Sequence, residues 1–201
     1  YSVLCYNRKG VGKSSKAETI QSGQEIVAQL TQLISDVGLT PPYVLIAHSL
    51  GGIYAEIFAR QRPNDIAAMV LVDSAHPQEA LSNHSQQTKS AFTFNHISRF
   101  VSTLFNKYKF SEIEAVEETV TYLESLGPFP QMPVSIITGG KKMPFVTQAS
   151  HELHLKFQEK YLELNNLAQL HVLKNSHHFP QISEPQAVAD IILRTLSYIE
   201  K

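Results

Sequence analysis

This sequence has one cysteine, almost no net charge and no long apolar run, and each of these absences excludes a class of protein. A single cysteine, Cys5, cannot form an internal disulfide and argues against a cysteine-based metal site. A formal net charge of −1 argues against a nucleic-acid surface, because phosphate neutralisation needs clustered lysine and arginine. The remaining composition, 43% hydrophobic over 201 residues, is that of an ordinary globular protein with one sizeable core.

The sequence also lacks the segments that direct a protein to a membrane or across it. No apolar run approaches the roughly 20 residues of a membrane-spanning helix, and no signal peptide is visible. The chain opens on Tyr1 and not on Met, so we expect its true start to lie upstream. The compartment is therefore left open, with the cytoplasm slightly favoured, and the oligomeric state is not readable from these residues.

Short apolar runs alternate with helical patterns along most of the chain. The first run is expected to be a buried strand that contains Cys5, and the helical pattern after it ends at Gly38 ahead of two prolines. Strands that alternate with helices predict parallel β-α-β units, hence an α/β fold with a doubly wound, mostly parallel sheet. The predicted strands are residues 3–6, 43–47, 66–72, 133–138 and 170–173.

Residues 75–130 interrupt this alternation. They contain no strand-like run but two helical patterns, near 86–106 and 112–126. Because structureless loops beyond ~15 residues are uncommon, the segment predicts a helical cap or lid, with residues 1–74 and 131–201 forming the core. Its phenylalanines are consistent with an apolar substrate pocket and equally with the core of the lid itself. They are Phe92, Phe94, Phe100, Phe105 and Phe110.

The N-terminal residues first suggest a phosphate-binding loop and therefore nucleotide binding. The stretch YNRKGVGKSS ends in Gly12-Lys13-Ser14, as a phosphate loop would, and AMVLVDS supplies an apolar strand with a following Asp73. The loop motif, however, requires a leading glycine where this chain has Asn7. The nucleotide hypothesis therefore fails at its first residue.

The stretch YVLIAHSLGGIYAEIFA carries a stronger signal. Ser49 stands between a predicted buried strand and a predicted helix, with the small residues Ala47 and Gly51 two positions away on either side. This is the spacing of a nucleophile elbow, G-x-S-x-G, with alanine in the first place. The tight turn exposes the serine at the carboxyl edge of the sheet, where a helix N-terminus favours developing negative charge.

A serine hydroxyl becomes a useful nucleophile only when a base, normally an oriented histidine, takes its proton. Nine histidines are present, and His178 lies on the loop after the last predicted strand, from which it can reach Ser49. Its neighbour His177 is interpreted as a loop residue. His48, beside the nucleophile, is expected to point away from the base and to pack behind the elbow.

Two further histidines are candidate metal ligands. His151 and His154 are one residue short of the H-E-x-x-H zinc spacing, and no third ligand presents itself. We interpret both as helix-surface residues, and we expect neither a metal nor another cofactor.

The third member of a triad holds the imidazole and stabilises its charge. In chain order it should fall between the nucleophile and the base, where the only aspartates are Asp65 and Asp73. Asp65 follows a helix-stopping proline and is expected to be exposed. Asp73 ends the strand next after the nucleophile strand, at the same edge, so it is the better candidate. Glu152, on a helix, is a distant alternative.

Together these stretches resemble the α/β-hydrolase superfamily over the whole chain. YNRKGVGKSS is similar to the family's Y-D-R-x-G-x-G-x-S turn, AHSLGG to its elbow, MVLVDSAHP and PVSIITGG to its next two strands, and SHHFPQISEP to its histidine loop. The resemblance implies the α/β-hydrolase fold, Ser49 as nucleophile and His178 as base. It also implies that the glycines near Lys13 shape a turn beside the active site and that Lys13 itself is incidental.

The sequence departs from the family pattern in two places. Most members carry the acid after the penultimate strand, where this chain reads Gly139-Gly140-Lys141-Lys142, and a minority place it where Asp73 stands. The family's oxyanion hole pairs the N–H of the residue after the nucleophile, here Leu50, with a donor from a His-Gly loop that would precede Tyr1. We therefore expect a fragment that lacks its N-terminal strands and can be inactive even if its parent is an enzyme.

The resemblance implies a serine hydrolase that cleaves an ester or related acyl bond of a small, apolar substrate through an acyl-enzyme. A serine nucleophile disfavours the dehalogenase and epoxide-hydrolase branches, which use aspartate at that position. The alternative is a non-catalytic, ligand-binding or sensor member of the fold. The partner in either case is a small molecule.

Overall fold

Four strands form one parallel sheet with the spatial order β1-β2-β3-β4 in the computed structural model, which describes residues 1–87 and 110–199. Leu71 of the second strand lies opposite Ala47 of the first and Ile136 of the third. Parallel neighbours require a crossover at every step, and helices supply these crossovers. The strands are β1 Tyr43–His48, β2 Ile66–Val72, β3 Val134–Gly139 and β4 Ala168–Leu173.

The helices begin and end where the sequence carries capping signals. The first starts after Ser22, whose hydroxyl accepts from the backbone N–H of Glu25, and it stops before Gly38, which has φ +69°. No helix of the described residues is long and apolar enough to cross a membrane. The helices are α1 Gly23–Asp36, α2 Gly51–Gln61, α3 Pro77–Gln87, α4 Phe110–Glu114, α5 Val116–Ser125, α6 Gln148–Lys160, α7 Pro180–Ser183 and α8 Pro185–Ser197.

Both faces of the sheet are covered, as expected for a doubly wound sheet. Side chains alternate along β2, so Leu71 packs with Phe58 of α2 on one face and Val70 packs with Ile191 of α8 on the other. Each of these four side chains is buried. The sheet is therefore a rigid platform whose carboxyl edge can hold loops in fixed positions.

The first predicted strand is not formed. Residues 3–6 are irregular, Val3 is 82% exposed, and Cys5 is exposed, so the predictions of a buried strand and of a buried thiol are wrong. A strand is stable only when a neighbour pairs with its backbone, and β1 pairs in the described chain with β2 alone. The apolar run next to Cys5 thus has no ladder to join.

The segment between β2 and β3 is helical in its described parts. Helices α3, α4 and α5 occupy it, and Val120 of α5 is buried in the same core cluster as Ile26 and Val27 of α1. The predicted helix near 86–106 lies outside the described residues except for the end of α3. The division into a core and a cap over 75–130 stays a prediction.

The N-terminal turn is not a phosphate loop. Gly10 and Gly12 have φ values of +78° and +57°, and the Asn7 side chain packs so closely on Gly12 that a Cβ there would lie 2.8 Å from it. A phosphate loop leads directly into a helix, whereas α1 begins only at Gly23. The glycines shape a turn, and Arg8 ties that turn to α4 through two 2.8 Å hydrogen bonds to the carboxylate of Glu112.

Candidate active site

Ser49 occupies a strained turn between β1 and α2. It has φ +55°, a conformation that costs a residue with a side chain on the order of 1–3 kcal/mol. Three backbone hydrogen bonds hold it there: its N–H donates to Val72 O (3.3 Å), and its carbonyl accepts from the N–H groups of Gly52 (3.1 Å) and Ala75 (3.0 Å). The turn ends in α2, with Leu50 as the N-cap residue.

The steric need for glycine in this elbow falls mainly on Gly52. A Cβ added at Gly52 would lie 2.6 Å from the Cβ and Oγ atoms of Ser74, which is a collision. A Cβ at Gly51 would meet only Ala47 Cβ at 3.8 Å, an ordinary contact. The G-x-S-x-G spacing thus identifies the turn. The position where a side chain would collide, however, is Gly52, one residue after the glycine of the pattern.

Asp73 follows β2 directly and is almost fully buried, with 3% of its surface exposed. Its Oδ1 accepts from the hydroxyl of Thr138 and from the N–H of Gly139, both at 2.8 Å. Its Oδ2 lies 2.7 Å from Nδ1 of His178. The carboxylate is therefore fixed by the end of β3 on one side and aimed at the imidazole on the other.

His178 presents one nitrogen to Asp73 and leaves the other available. Because an ionised carboxylate only accepts hydrogen bonds, Nδ1 of His178 must be the donor, and Nε2 of the neutral ring is then an acceptor. Within the described residues the Ser49 hydroxyl makes no hydrogen bond. A neutral His178 ring in this tautomer can accept a proton at Nε2.

His48 does not point away from the base, so that expectation is wrong. Its ring centroid lies 4.8 Å from that of His178, and its Nε2 donates to the His178 carbonyl at 2.8 Å. Burial, together with the charge of His178, lowers the pKa of His48 to about 4. His48 is therefore a neutral group that holds the backbone of the base loop.

His154 is not a helix-surface residue either. From α6 it reaches the buried side of Asp73, with Nε2 at 3.4 Å from Asp73 Oδ1 and Nδ1 at 2.9 Å from Glu79 Oε1. Burial works to raise the pKa of Asp73, but the contacts with His154 and His178 outweigh it and hold the pKa far below its usual value. The carboxyl group is therefore ionised at every physiological pH.

The other residues considered from sequence lie away from this cluster. Asp65 pairs with Arg62 at 2.6 Å, and Glu152 is exposed on α6 and accepts from Gln148. The ring of His177 lies 3.1 Å from the Lys141 carbonyl, and that of His151 lies 3.3 Å from the Gly140 carbonyl. The described residues contain no group of three side chains arranged to hold a metal ion.

Backbone strain marks the same place independently of any motif. Among the non-glycine residues of the described chain, only Ser49 and Asp73 have positive φ, at +55° and +43°. Such strain concentrates at functional sites, because the surrounding structure must hold the residue in a costly conformation. Both residues directly follow adjacent strands at the carboxyl edge of the sheet, which is where ligands bind in open α/β sheets.

Gly139 offers a test of this geometry. A Cβ there would lie 2.1 Å from the His177 carbonyl oxygen, so we expect Gly139→Ala to displace the base loop and to lower stability by about 1–3 kcal/mol. Thermal unfolding measures the loss of stability. Gly127→Ala is the control, because an added Cβ there meets nothing within 4 Å. Equal melting temperatures of the two variants would contradict the close packing of the histidine loop on Gly139.

The sequence model described as the Alpha/beta hydrolase family matches residues 1–191, and the chain belongs to this family. The parallel sheet, the turn after β1 and the loop after β4 are consistent with this family. The resemblance seen in the sequence is thereby confirmed.

Relatives span most of the chain. It is 22% identical over 197 residues to the uncharacterised protein YqjL of Bacillus subtilis (strain 168), covering 94% of this chain and 70% of YqjL. It is 23% identical over 211 residues to Methylesterase 9 of Arabidopsis thaliana, covering 90% of this chain and 81% of the relative.

Solved structures show the same fold. The esterase EaEST from Exiguobacterium antarcticum matches with a TM-score of 0.62 at 15% identity, covering 96% of this chain and 80% of the esterase. The Bacillus megaterium epoxide hydrolase matches with a TM-score of 0.65 at 17% identity, covering 94% and 81%. At such identities the likeness is one of fold alone.

Proposed function

We propose that this protein is a serine hydrolase of carboxylic esters or related acyl bonds, with Ser49 as nucleophile, His178 as base and Asp73 as the orienting acid. The observation that carries the proposal is the 2.7 Å contact between Asp73 Oδ2 and His178 Nδ1 at the sheet edge that also presents the Ser49 elbow. The ends of β1 and β2 and the loop after β4 supply the three side chains.

The proposed reaction follows from what each group can do. His178 Nε2 takes the Ser49 proton as the hydroxyl oxygen attacks the carbonyl carbon, and Asp73 stabilises the imidazolium that forms. The Leu50 N–H, at the N-terminus of α2, donates to the developing oxyanion. His178 then protonates the leaving alcohol, which gives an acyl-enzyme that water hydrolyses by the same route.

The serine favours esters over the substrates of other branches of the fold. Epoxide hydrolases resemble this chain in fold but use a carboxylate nucleophile, and this chain places Ser49 there. Similarity to a relative named Methylesterase 9 points the same way. An apolar substrate is proposed from the phenylalanines at positions 92, 94, 100, 105 and 110, of which the first four lie outside the described residues.

The second candidate is a ligand-binding protein without turnover. It is motivated by the absence of a carboxylate in Gly139-Gly140-Lys141-Lys142, where most members of the family carry their acid. Asp73 weighs against it, because a carboxylate from the end of β2 already contacts His178. A binding protein would need no such polarised imidazole.

Turnover of model substrates by the full-length natural chain distinguishes the two candidates. We expect hydrolysis of p-nitrophenyl esters, with a preference for longer acyl chains, and little hydrolysis of a styrene-type epoxide. Rapid release of p-nitrophenol ahead of the steady state would report the acyl-enzyme. A folded protein that hydrolyses none of the esters, but whose melting temperature rises with them, would support the binding protein instead.

A further inference from the structure

One face of α6 and of the turn after it holds the three residues that follow β2. Gln158 donates to the Ser74 carbonyl at 2.7 Å, and Tyr161 donates to the Ala75 carbonyl at 2.8 Å. Together with His154, which contacts Asp73, these side chains recur at spacings of four and three residues, as a helix face requires. Each residue from 73 to 75 is thus held by one residue of this face.

The held loop is also bonded to the nucleophile elbow. The Ala75 N–H donates to the Ser49 carbonyl at 3.0 Å, and the Ser74 hydroxyl donates to the Ala47 carbonyl at 3.2 Å. The face of α6 therefore contacts the acid of the proposed triad directly and is connected to the nucleophile through Ala75.

His154 stands between two carboxylates in this arrangement. Its side chain is 19% exposed, with Asp73 on one ring nitrogen and Glu79 of α3 on the other. Nδ1 donates to Glu79 Oε1, whereas Nε2 makes no hydrogen bond and faces Asp73 Oδ1 at an ion-pair distance. Two carboxylates this close to the ring favour its imidazolium form. Burial alone would lower the pKa of His154, but the two carboxylates overcome that effect and raise the pKa to about 10.

The charges that face this group are few. Asp73 comes from the end of β2 and Glu79 from α3, and His178 faces the other oxygen of Asp73. Two more imidazoles lie close by, and both are neutral: burial, with the charge of His178, lowers the pKa of His48 to about 4, and burial, with the charge of Lys160, does the same for His76. Asp73 therefore lies between a fixed cation, His154, and the histidine that must gain a proton during catalysis.

We propose that His154 is a positioning residue whose charge, held by Glu79, offsets part of the charge of Asp73 and so sets the basicity of His178. The inference rests on the proposed triad. A lone carboxylate would stabilise the His178 imidazolium more strongly and keep it protonated to higher pH, where it could not act as a base. The cation behind Asp73 prevents this while fixing the carboxylate in place.

The consequence is a shift in the pH profile. His154→Gln removes the cation, so protonated His178 is better stabilised, and the acid limb of kcat/KM should move to higher pH by about one unit. His154→Lys keeps a positive charge and should leave the limb near its wild-type position. His171→Gln, the same change on β4, is the matched control. A residue with only a structural role would change the melting temperature and leave the limb unmoved.

The outcomes separate this inference from the proposed function. If the wild-type protein hydrolyses esters but the acid limb does not move in His154→Gln, the inference about His154 is wrong and the proposed triad is unaffected. Absence of wild-type ester turnover would count against the triad itself. The expected result is an acid limb that moves to higher pH in His154→Gln and stays near its wild-type position in His154→Lys.

A measurement on the unaltered protein covers the case in which His154→Gln fails to fold. Long-range proton–nitrogen NMR of the imidazole rings reports the protonation of each histidine. We expect the His154 ring to stay doubly protonated across the range in which a free imidazole titrates, near pH 6.5. Titration of His154 in that range would overturn the inference.

Discussion

We expect Ser49→Ala to lower kcat for ester hydrolysis by about 10⁶-fold, the order of loss seen when the serine of a protease triad is removed. The alanine cannot form the acyl-enzyme, and the remaining groups retain only binding and oxyanion stabilisation. Ground-state affinity for an ester analogue should change little, because the hydroxyl makes no hydrogen bond within the described residues. Steady-state kinetics and a competition binding measurement separate the two quantities.

The matched control for Ser49→Ala is Ser135→Ala. Ser135 is buried in β3 and shares its hydroxyl with Thr195 of α8 on the far face of the sheet, at 2.7 Å. The same chemical change there should cost stability and leave kcat within a few fold. Comparable losses in the two variants would mean that serine removal damages the fold and says nothing about a nucleophile.

Asp73→Asn is expected to lower kcat by about 10⁴-fold, as the corresponding change does in a serine protease. An asparagine can present its NH₂ to Nδ1 of His178, which would reverse the tautomer and place a proton on Nε2. The ring could then no longer accept the Ser49 proton. The loss should appear in kcat while KM changes little, because the buried Asp73 side chain would act through His178.

Asp65→Asn is the control for Asp73→Asn. Asp65 pairs only with Arg62 near the surface, so its neutralisation should alter stability by about 1 kcal/mol or less and leave kcat unchanged. Full activity of Asp73→Asn would contradict the assignment of the acid. Another carboxylate would then have to orient His178.

The sheet could be predicted because its four strands are apolar runs bounded by glycine, proline or a charged residue. The run next to Cys5 has the same pattern and forms no strand, because a strand also depends on a partner that the run itself does not encode. An apolar pattern shows that a segment can form a strand, but the strand forms only where a neighbouring strand pairs with it.

The proposed roles of Ser49 and His178 could be inferred from the sequence because the elbow and the histidine loop have short, local signatures. Asp73 could be proposed from chain order and from its place at the end of a strand. His154 could not, since its partners lie 75 residues or more away and belong to other elements. Its helix pattern is that of an ordinary surface residue, and only the packing of α6 against the loop after β2 reveals its contact.

The contact of His48 with the base loop escaped prediction for a related reason. The residue adjoins the nucleophile in sequence, and strand alternation places its side chain on the side opposite to neighbouring residues. The loop carrying His178 crosses on that side, so that His48 Nε2 meets the His178 carbonyl. Loop paths of this kind depend on the whole sheet edge and leave no trace in a local pattern.

The central claim is that His178 activates Ser49, and covalent labelling tests it most directly. The full-length natural chain is treated with a fluorophosphonate, and the adduct is located by peptide mass spectrometry in the wild type and in His178→Ala. An adduct on Ser49 that forms in the wild type and disappears in His178→Ala is the predicted result. A folded wild-type protein that acquires no adduct at Ser49, or an adduct that persists unchanged in His178→Ala, would contradict the account.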